Sequence, residues 1–373
     1  MNLRYNTSAV SVISNNDLPR EVIFDRYFRE YPEWSVRSCY LGRQVPLKLI
    51  ERFGQELAQM LDEARNLLNE RFKNHTLCLD SIKPILHFDY IEVKEPQCPA
   101  EDAPPRANAI AFVHKRIHFV GITIPLVIEL LRTAQRLVSR GRITRLFNAK
   151  PHRATELFSV LFTTMVEFVF LHEIGHHVHG HQGEKASKQP TLYYDETVAA
   201  TENSLVSQAK EIEADGYATN ALLEKFRFDP PRATALNRLR ARYRDASERQ
   251  LFLLILLASA GALIACGIKT FALNKPHPPK GTRLHFVAAR INDWAKKRSA
   301  TAPAPLKLKQ YQRLMTAVRR ALDRQEPGAL DEEAAFLSSS QGKDYLNAIS
   351  DYIPHLRERL AKWRWEHCSK TST

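Results

Sequence analysis

The sequence predicts an α+β fold that is mostly helical, and three observations carry that expectation. Apolar residues recur at helical spacing, or in long uncharged runs, over most of the 373 residues. Residues of β-branched and aromatic type concentrate in one stretch, 84–121, broken by a proline-rich segment. Hydrophobic residues make up 44% and charged residues 25% of the chain, which is ordinary globular usage and excludes collagen-like, low-complexity and wholly disordered classes.

The elements follow in order. From Pro46 to Phe72 the positions Leu47, Ile50, Phe53, Leu57, Met60, Leu61, Ala64 and Leu67 repeat every three to four residues, as one face of an amphipathic helix does. Residues 84–93 and 108–121 read as two or three strands, and Glu95–Arg106 between them reads as a loop. A helix is expected over 122–139 and a long one over 153–179. The polar segment Gln182–Thr201 has little periodicity and reads as an excursion over a cleft, a candidate flap with Tyr193 and Tyr194 able to dock on it. Helices follow over 204–225, over the uncharged run Leu251–Ile268, and over 306–324 and 343–366. The domain division expected from this order is 1–104, 105–290 and 306–373.

Charge and cysteine usage limit the setting. A net charge of +13 suits proximity to nucleic acid or an acidic membrane face but names no partner, and no recognition helix or aromatic-basic interleaving points to nucleic acid. The five cysteines are scattered and show no CxxC spacing, so neither a disulfide framework nor a cysteine zinc knuckle is expected. The N-terminus has no apolar run behind a basic start, so a secretory signal is not expected either and a cytoplasmic location is.

The chemistry lies in LHEIGHH, residues 171–177. On a helix, His172 and His176 are four residues apart and stand on one face, close enough to take two corners of one tetrahedral zinc. Glu173 falls beside the metal rather than on it, where it can accept a proton from water. A catalytic zinc needs a third protein ligand and an open fourth position. The run KEIEADGYA, 210–218, offers Glu211 and Glu213, which lie about 200° apart round a helix, so only one of them can face the ion.

The two motifs together resemble the gluzincin peptidases, whose HExxH and ExxxD helices cross at a zinc. The resemblance implies a zincin-like core with a small sheet packed on the HExxH helix, and one Zn²⁺ per chain. It makes Glu211 the third ligand, since only Glu211 has an aspartate at the matching offset, and makes Asp215 the carboxylate that orients a ligand imidazole. The metzincin pattern fails, because His179 stands where glycine is required and Gln182 where histidine is required. His177, His179 and His181 therefore read as polar residues at a helix end, with Gly180 as its stop.

Downstream, His277-Pro278-Pro279 with Arg283 resembles the HPPxxxR element of the HtpX-like membrane peptidases and of the phage-exclusion Lit peptidases. That resemblance implies that His277 donates to the oxyanion formed during peptide hydrolysis. The strand NAIAFVHKRIHFVG resembles the Asn-Ala strand of such peptidases and makes Asn108 and Ala109 candidates for holding an extended substrate by its backbone. The closest motif order is that of the Lit-like group, which implies a zinc endopeptidase acting on an intracellular protein in phage exclusion or a stress response.

Two rivals follow from the same residues. Leu251–Ile268, with 18 uncharged residues, just reaches spanning length and would suit an HtpX-type integral membrane protease. A span there would place the HPP turn across the bilayer from His172, so a buried core helix is the expectation, with peripheral membrane association still compatible. The other rival is a regulatory protein in which a structural zinc supports a nucleic-acid-binding surface; it leaves Glu173 without a task.

Overall fold

The computed structural model describes residues 75–77, 85–91, 109–114, 117–139, 143, 147, 154–182, 204–228, 248–266, 273, 277–297, 313, 316 and 329–367. Among them the chain is mostly helical. The strands are β1 (His75–Leu77), β2 (Ile85–Ile91), β3 (Ala109–His114), β4 (Ile117–Thr123) and, near the C-terminal end, β5 (Trp365–His367). The helices are α1 (Ile124–Ser139), α2 (Ala154–Val178), α3 (Ser204–Phe228), α4 (Glu248–Ala265), α5 (Lys280–Lys297), α6 (Ala329–Ser338) and α7 (Ser340–Arg359). The helix expected over Pro46–Phe72, the loop over 95–106, Asn108, the excursion beyond Gln182 and, apart from positions 313 and 316, the helix over 306–324 lie outside the described residues.

The helix α2 is the axis of the molecule. Its sequence, ATELFSVLFTTMVEFVFLHEIGHHV, is apolar round nearly its whole circumference before the histidines, with Glu156 and Glu167 the charged exceptions, so it can be stable only if it is covered all round. It is: α1, α3 and α4 pack on it, together with β3 and β4. Phe162, Phe168 and Phe170 are almost wholly withdrawn from solvent, each stabilising the fold by about 1.5–3 kcal/mol relative to exposure. Within the stretch Leu157–Val178 it is long and apolar enough to cross a membrane, yet most of it is buried inside the protein. Leu251–Ile268 resolves likewise: its helical part, within α4, ends at Ala265, and residues 252–263 are all buried against α1, α2 and α5.

The sheet has the order β2-β4-β3. β3 and β4 form an antiparallel hairpin with Ala109 opposite Ile122, and β2 runs parallel to β4 with Ile85 opposite Ile117. Among the described residues β2 and β3 are the outer strands of this sheet, and Ala109 at the start of β3 lies by the histidines of α2. The C-terminal helix departs from expectation: the aromatic-rich sequence suggests continuation to 366, but α7 ends at Arg359, a short 3-10 turn follows at Ala361–Trp363, and β5 then pairs antiparallel with β1. Burial of Leu360 and Trp365 explains the break, since a continuous helix could not turn both inward.

Candidate metal and catalytic site

The site is set by how closely two helices approach. A Cβ placed on Gly175 would lie 2.9 Å from the Ala214 Cα and 3.1 Å from its carbonyl oxygen, so only glycine lets α2 and α3 touch backbone to backbone there. This crossing point lies between His172 and His176 on one helix and between Glu211 and Asp215 on the other. The i, i+4 pairs that share a face on each helix are thereby turned toward each other.

The three expected ligands come together. His172 Nε2 and His176 Nε2 are 3.2 Å apart; Glu211 Oε2 is 3.3 Å from the first and Glu211 Oε1 is 3.4 Å from the second. All three side chains are buried, and among the described residues this is the group of histidines and carboxylates that could hold a metal ion. Donors about 2.0–2.1 Å from a tetrahedral ion stand about 3.3 Å apart, so the triangle has the right edge. Glu211 Oε2 is fully buried without a well-aligned hydrogen bond, although His172, His277 Nδ1 at 3.1 Å and Arg283 Nη1 at 3.3 Å surround it. Such an oxygen suits an ion. Glu213, the alternative ligand, points away, toward His181.

A second layer of contacts fixes these donors. Asp215 Oδ1 accepts from His172 Nδ1 at 2.9 Å. Arg283 donates Nε to Asp215 Oδ2 and Nη2 to Oδ1, both at 2.7 Å, a bidentate clamp. Arg283 can do this because α5 begins directly after Pro278-Pro279: its amide bonds the Pro279 carbonyl at 3.0 Å, placing the guanidinium in the first turn, over the end of the ligand pair. The sequence motif HPPxxxR thus delivers two groups to one place, His277 against Glu211 and Arg283 against Asp215.

The electrostatics follow from burial against close charge. Burial opposes ionisation of Asp215, but Arg283 and His172 outweigh it and hold the carboxyl below its ordinary value. Burial likewise opposes ionisation of Glu211, and His277, Arg283 and His172 hold it well below. For His172, burial pushes down, yet Glu211 and Asp215 raise it to about 10. Glu173 is pushed up to about 7 by burial and by Glu211, against His172, His277 and Arg283. That is the range in which a carboxylate both takes and returns protons near neutrality.

A cleft opens on this group. Its polar wall includes His172, Glu173, His176, Glu211, His277 and Arg283; its apolar wall comes from Phe168 and Val169 of α2 and from Ala262, Leu263 and Cys266 of α4 or just beyond it. Ala109, at the start of the outer strand β3, lines it as well. Sequence reasoning missed the apolar wall, although the uncharged run of α4 was its signal. It also gave no task to His181, which is buried behind His176.

A family model for Peptidase U49 matches residues 113–302, about half of the chain. That span contains all of the groups lining the cleft except Ala109. No curated protein and no solved structure matches.

Proposed function

Because the chain belongs to the Peptidase U49 family, and is thus a peptidase acting on protein or peptide substrates, we propose that it is a zinc-dependent endopeptidase of gluzincin type with a zincin-like core. The observation that carries this reading is the buried triangle of His172, His176 and Glu211, with edges of 3.2, 3.3 and 3.4 Å. Two imidazoles and one carboxylate favour zinc over magnesium or calcium, which take oxygen ligands.

When bound, zinc supplies a Lewis acid that polarises the scissile carbonyl and makes a water molecule acidic near neutral pH. The chain's own residues do the rest. Glu173 takes the proton from the attacking water and returns it to the leaving amine. Asp215 keeps the His172 ring oriented, so that Nε2 faces the centre, and Arg283 keeps Asp215 in place. His277 lines the cleft beside Glu211, and its part in this reading is to donate to the oxyanion. The outer strand β3, beginning at Ala109, offers an extended substrate a backbone to pair with. Phe168, Val169 and the α4 residues exclude bulk water.

The experiment is metal analysis of the purified chain together with cleavage mapping on a cellular proteome, wild type against Glu173→Gln. The expected result is one zinc per chain in both proteins and cleavage by the wild type alone, with turnover falling by about 10²–10⁴ in the variant. Equal cleavage by both overturns the peptidase mechanism.

A further inference from the structure

The two ligand histidines are supported from different sides. His172 leans on Asp215. His176 turns its Nδ1 toward Nδ1 of His181 at 2.9 Å; His181 Nε2 faces Glu213 Oε2 at 3.2 Å; and Arg357 donates Nε to Glu213 Oε1 at 2.6 Å. The side chains of His176, His181 and Glu213 are 4%, 0% and 1% exposed, while that of Arg357 is 41% exposed. The line therefore runs from the ligand triangle to the surface, across α2, α3 and α7.

One assignment of hydrogens satisfies every link. If His176 offers its Nε2 lone pair to an ion, its hydrogen is on Nδ1 and is donated to His181. His181 then accepts at Nδ1 and donates from Nε2 to Glu213, whose charge is matched by Arg357. The arrangement needs a neutral His181, with one ring nitrogen accepting from His176 and the other donating to Glu213.

The backbone builds this contact deliberately. At the end of α2 the amide of His181 bonds the His176 carbonyl at 2.9 Å, and that of Gly180 bonds the His177 carbonyl at 3.0 Å. With Gly180 at φ 75°, this is a Schellman termination, and it folds the chain back so that His181 lies under His176. A Cβ on Gly180 would stand 2.8 Å from the Trp363 backbone, so the turn after α7 closes over the same corner. Val206 and Ala209 of α3 pack with Leu356 and Leu360 beside it.

We infer that His181, Glu213 and Arg357 form an orienting relay for His176, through which docking of the C-terminal helix α7 and metal binding stabilise each other. This rests on the proposed metal site and adds a regulatory handle to it. Lifting α7 removes the Arg357 donor that holds the Glu213 carboxylate in line with His181, so Glu213 no longer fixes the His181 ring that receives the His176 hydrogen. Reciprocity then requires that bound metal strengthen the seating of α7.

The test uses the full chain and zinc alone. Zinc affinity is measured by competition with a chromophoric chelator for wild type, His181→Leu, His181→Gln and Glu213→Ala, and amide exchange of residues 340–359 is followed with and without zinc in wild type and Arg357→Gln. His181→Leu and Glu213→Ala should bind zinc about 10–100-fold more weakly. His181→Gln should recover most of the affinity, since its amide accepts from one side and donates to the other. Zinc should slow exchange in α7 of the wild type, and less so in Arg357→Gln. Should His181→Leu fail to fold, the exchange comparison still decides, because Arg357 sits at the solvent end. Wild-type zinc affinity in His181→Leu and Glu213→Ala, or zinc-independent exchange of α7, overturns the relay and leaves the metal site standing. A wild-type chain that takes up no zinc overturns both.

Discussion

Asp215 shows how much a single carboxylate can be asked to do. It accepts from His172 Nδ1 at 2.9 Å and receives both arms of Arg283 at 2.7 Å. In Asp215→Asn the amide nitrogen meets one of these donors, and the buried guanidinium loses the nearer of its two counter-charges, keeping Glu211 at 3.3 Å. Zinc affinity is expected to fall about 10–100-fold, and stability by about 3–5 kcal/mol, the cost of stranding one member of a buried ion pair. Competition titration and thermal unfolding measure the two separately; an unchanged affinity would mean that Arg283 and Glu211 alone hold the His172 ring. At this scale the sequence was legible where residues lie one helical turn apart. His172, His176, Glu211 and Asp215 obey that spacing, and spacing is what a sequence displays. His181 does not: it reaches His176 by a turn across a glycine, and the histidine-rich run HHVHGH gave no sign which ring would fold back.

Among the elements, the crossing of α2 and α3 decides whether the ligands meet. Gly175→Ala gains about 1 kcal/mol in helix propensity, but its Cβ meets the Ala214 backbone at 2.9 Å, and backbone cannot swing aside as a side chain can. The strain, about 1–3 kcal/mol, is expected to win, lowering the melting temperature and weakening zinc binding together; a more stable variant with full affinity would show that the crossing has slack. The start of α5 offers a pH test. Glu333 of α6 accepts the Thr282 amide at 3.0 Å, and burial pushes its carboxyl up to about 7, against the Thr282 and Gly281 amides and Lys280. In the unfolded chain it releases its proton near its ordinary value, so between about pH 4.5 and 7 the folded state binds more protons. The contribution of Glu333 to stability is thus fully present below that window and is lost as pH rises through it, amounting to about 3 kcal/mol. Glu333→Gln keeps an acceptor oxygen without the charge and should remove this part of the pH dependence of unfolding; an identical profile in both proteins would locate the pH dependence elsewhere. Of the helices on which these effects act, α2 and α3 were readable from apolar period and length, whereas α5 and α6 were not among the helices expected from the sequence. The helix α7 was readable only as a helix, because Arg357 and Glu213 are 144 residues apart and no local pattern encodes such a pairing.

The whole molecule is arranged so that one ion would tie together what the chain order separates. α2 and α3 would supply the ligands, α5 supplies the clamp on Asp215, and Ala109 of the hairpin and α4 line the cleft. The site gathers Glu211, Asp215 and Glu173 in a buried region where His172, His277 and Arg283 are the nearby positive groups. On the proposed reading, a doubly charged ion held by His172, His176 and Glu211 would relieve this crowding of carboxylates. Ligand linkage then predicts a stabilisation of about 4 kcal/mol at a free zinc concentration of 1,000 times Kd. Chelation should lower the melting temperature of the full chain by several degrees, and zinc should restore it. Magnesium should not, since a site with two imidazole donors offers it a poor shell. The loss should be largest for amides of α2 and α3 near the Gly175–Ala214 contact, where two helices share one anchor. If chelator leaves the melting temperature and those amides untouched in a chain shown to carry metal, the ion binds without bearing on the fold, and the crossing of α2 and α3 is complete before any metal arrives.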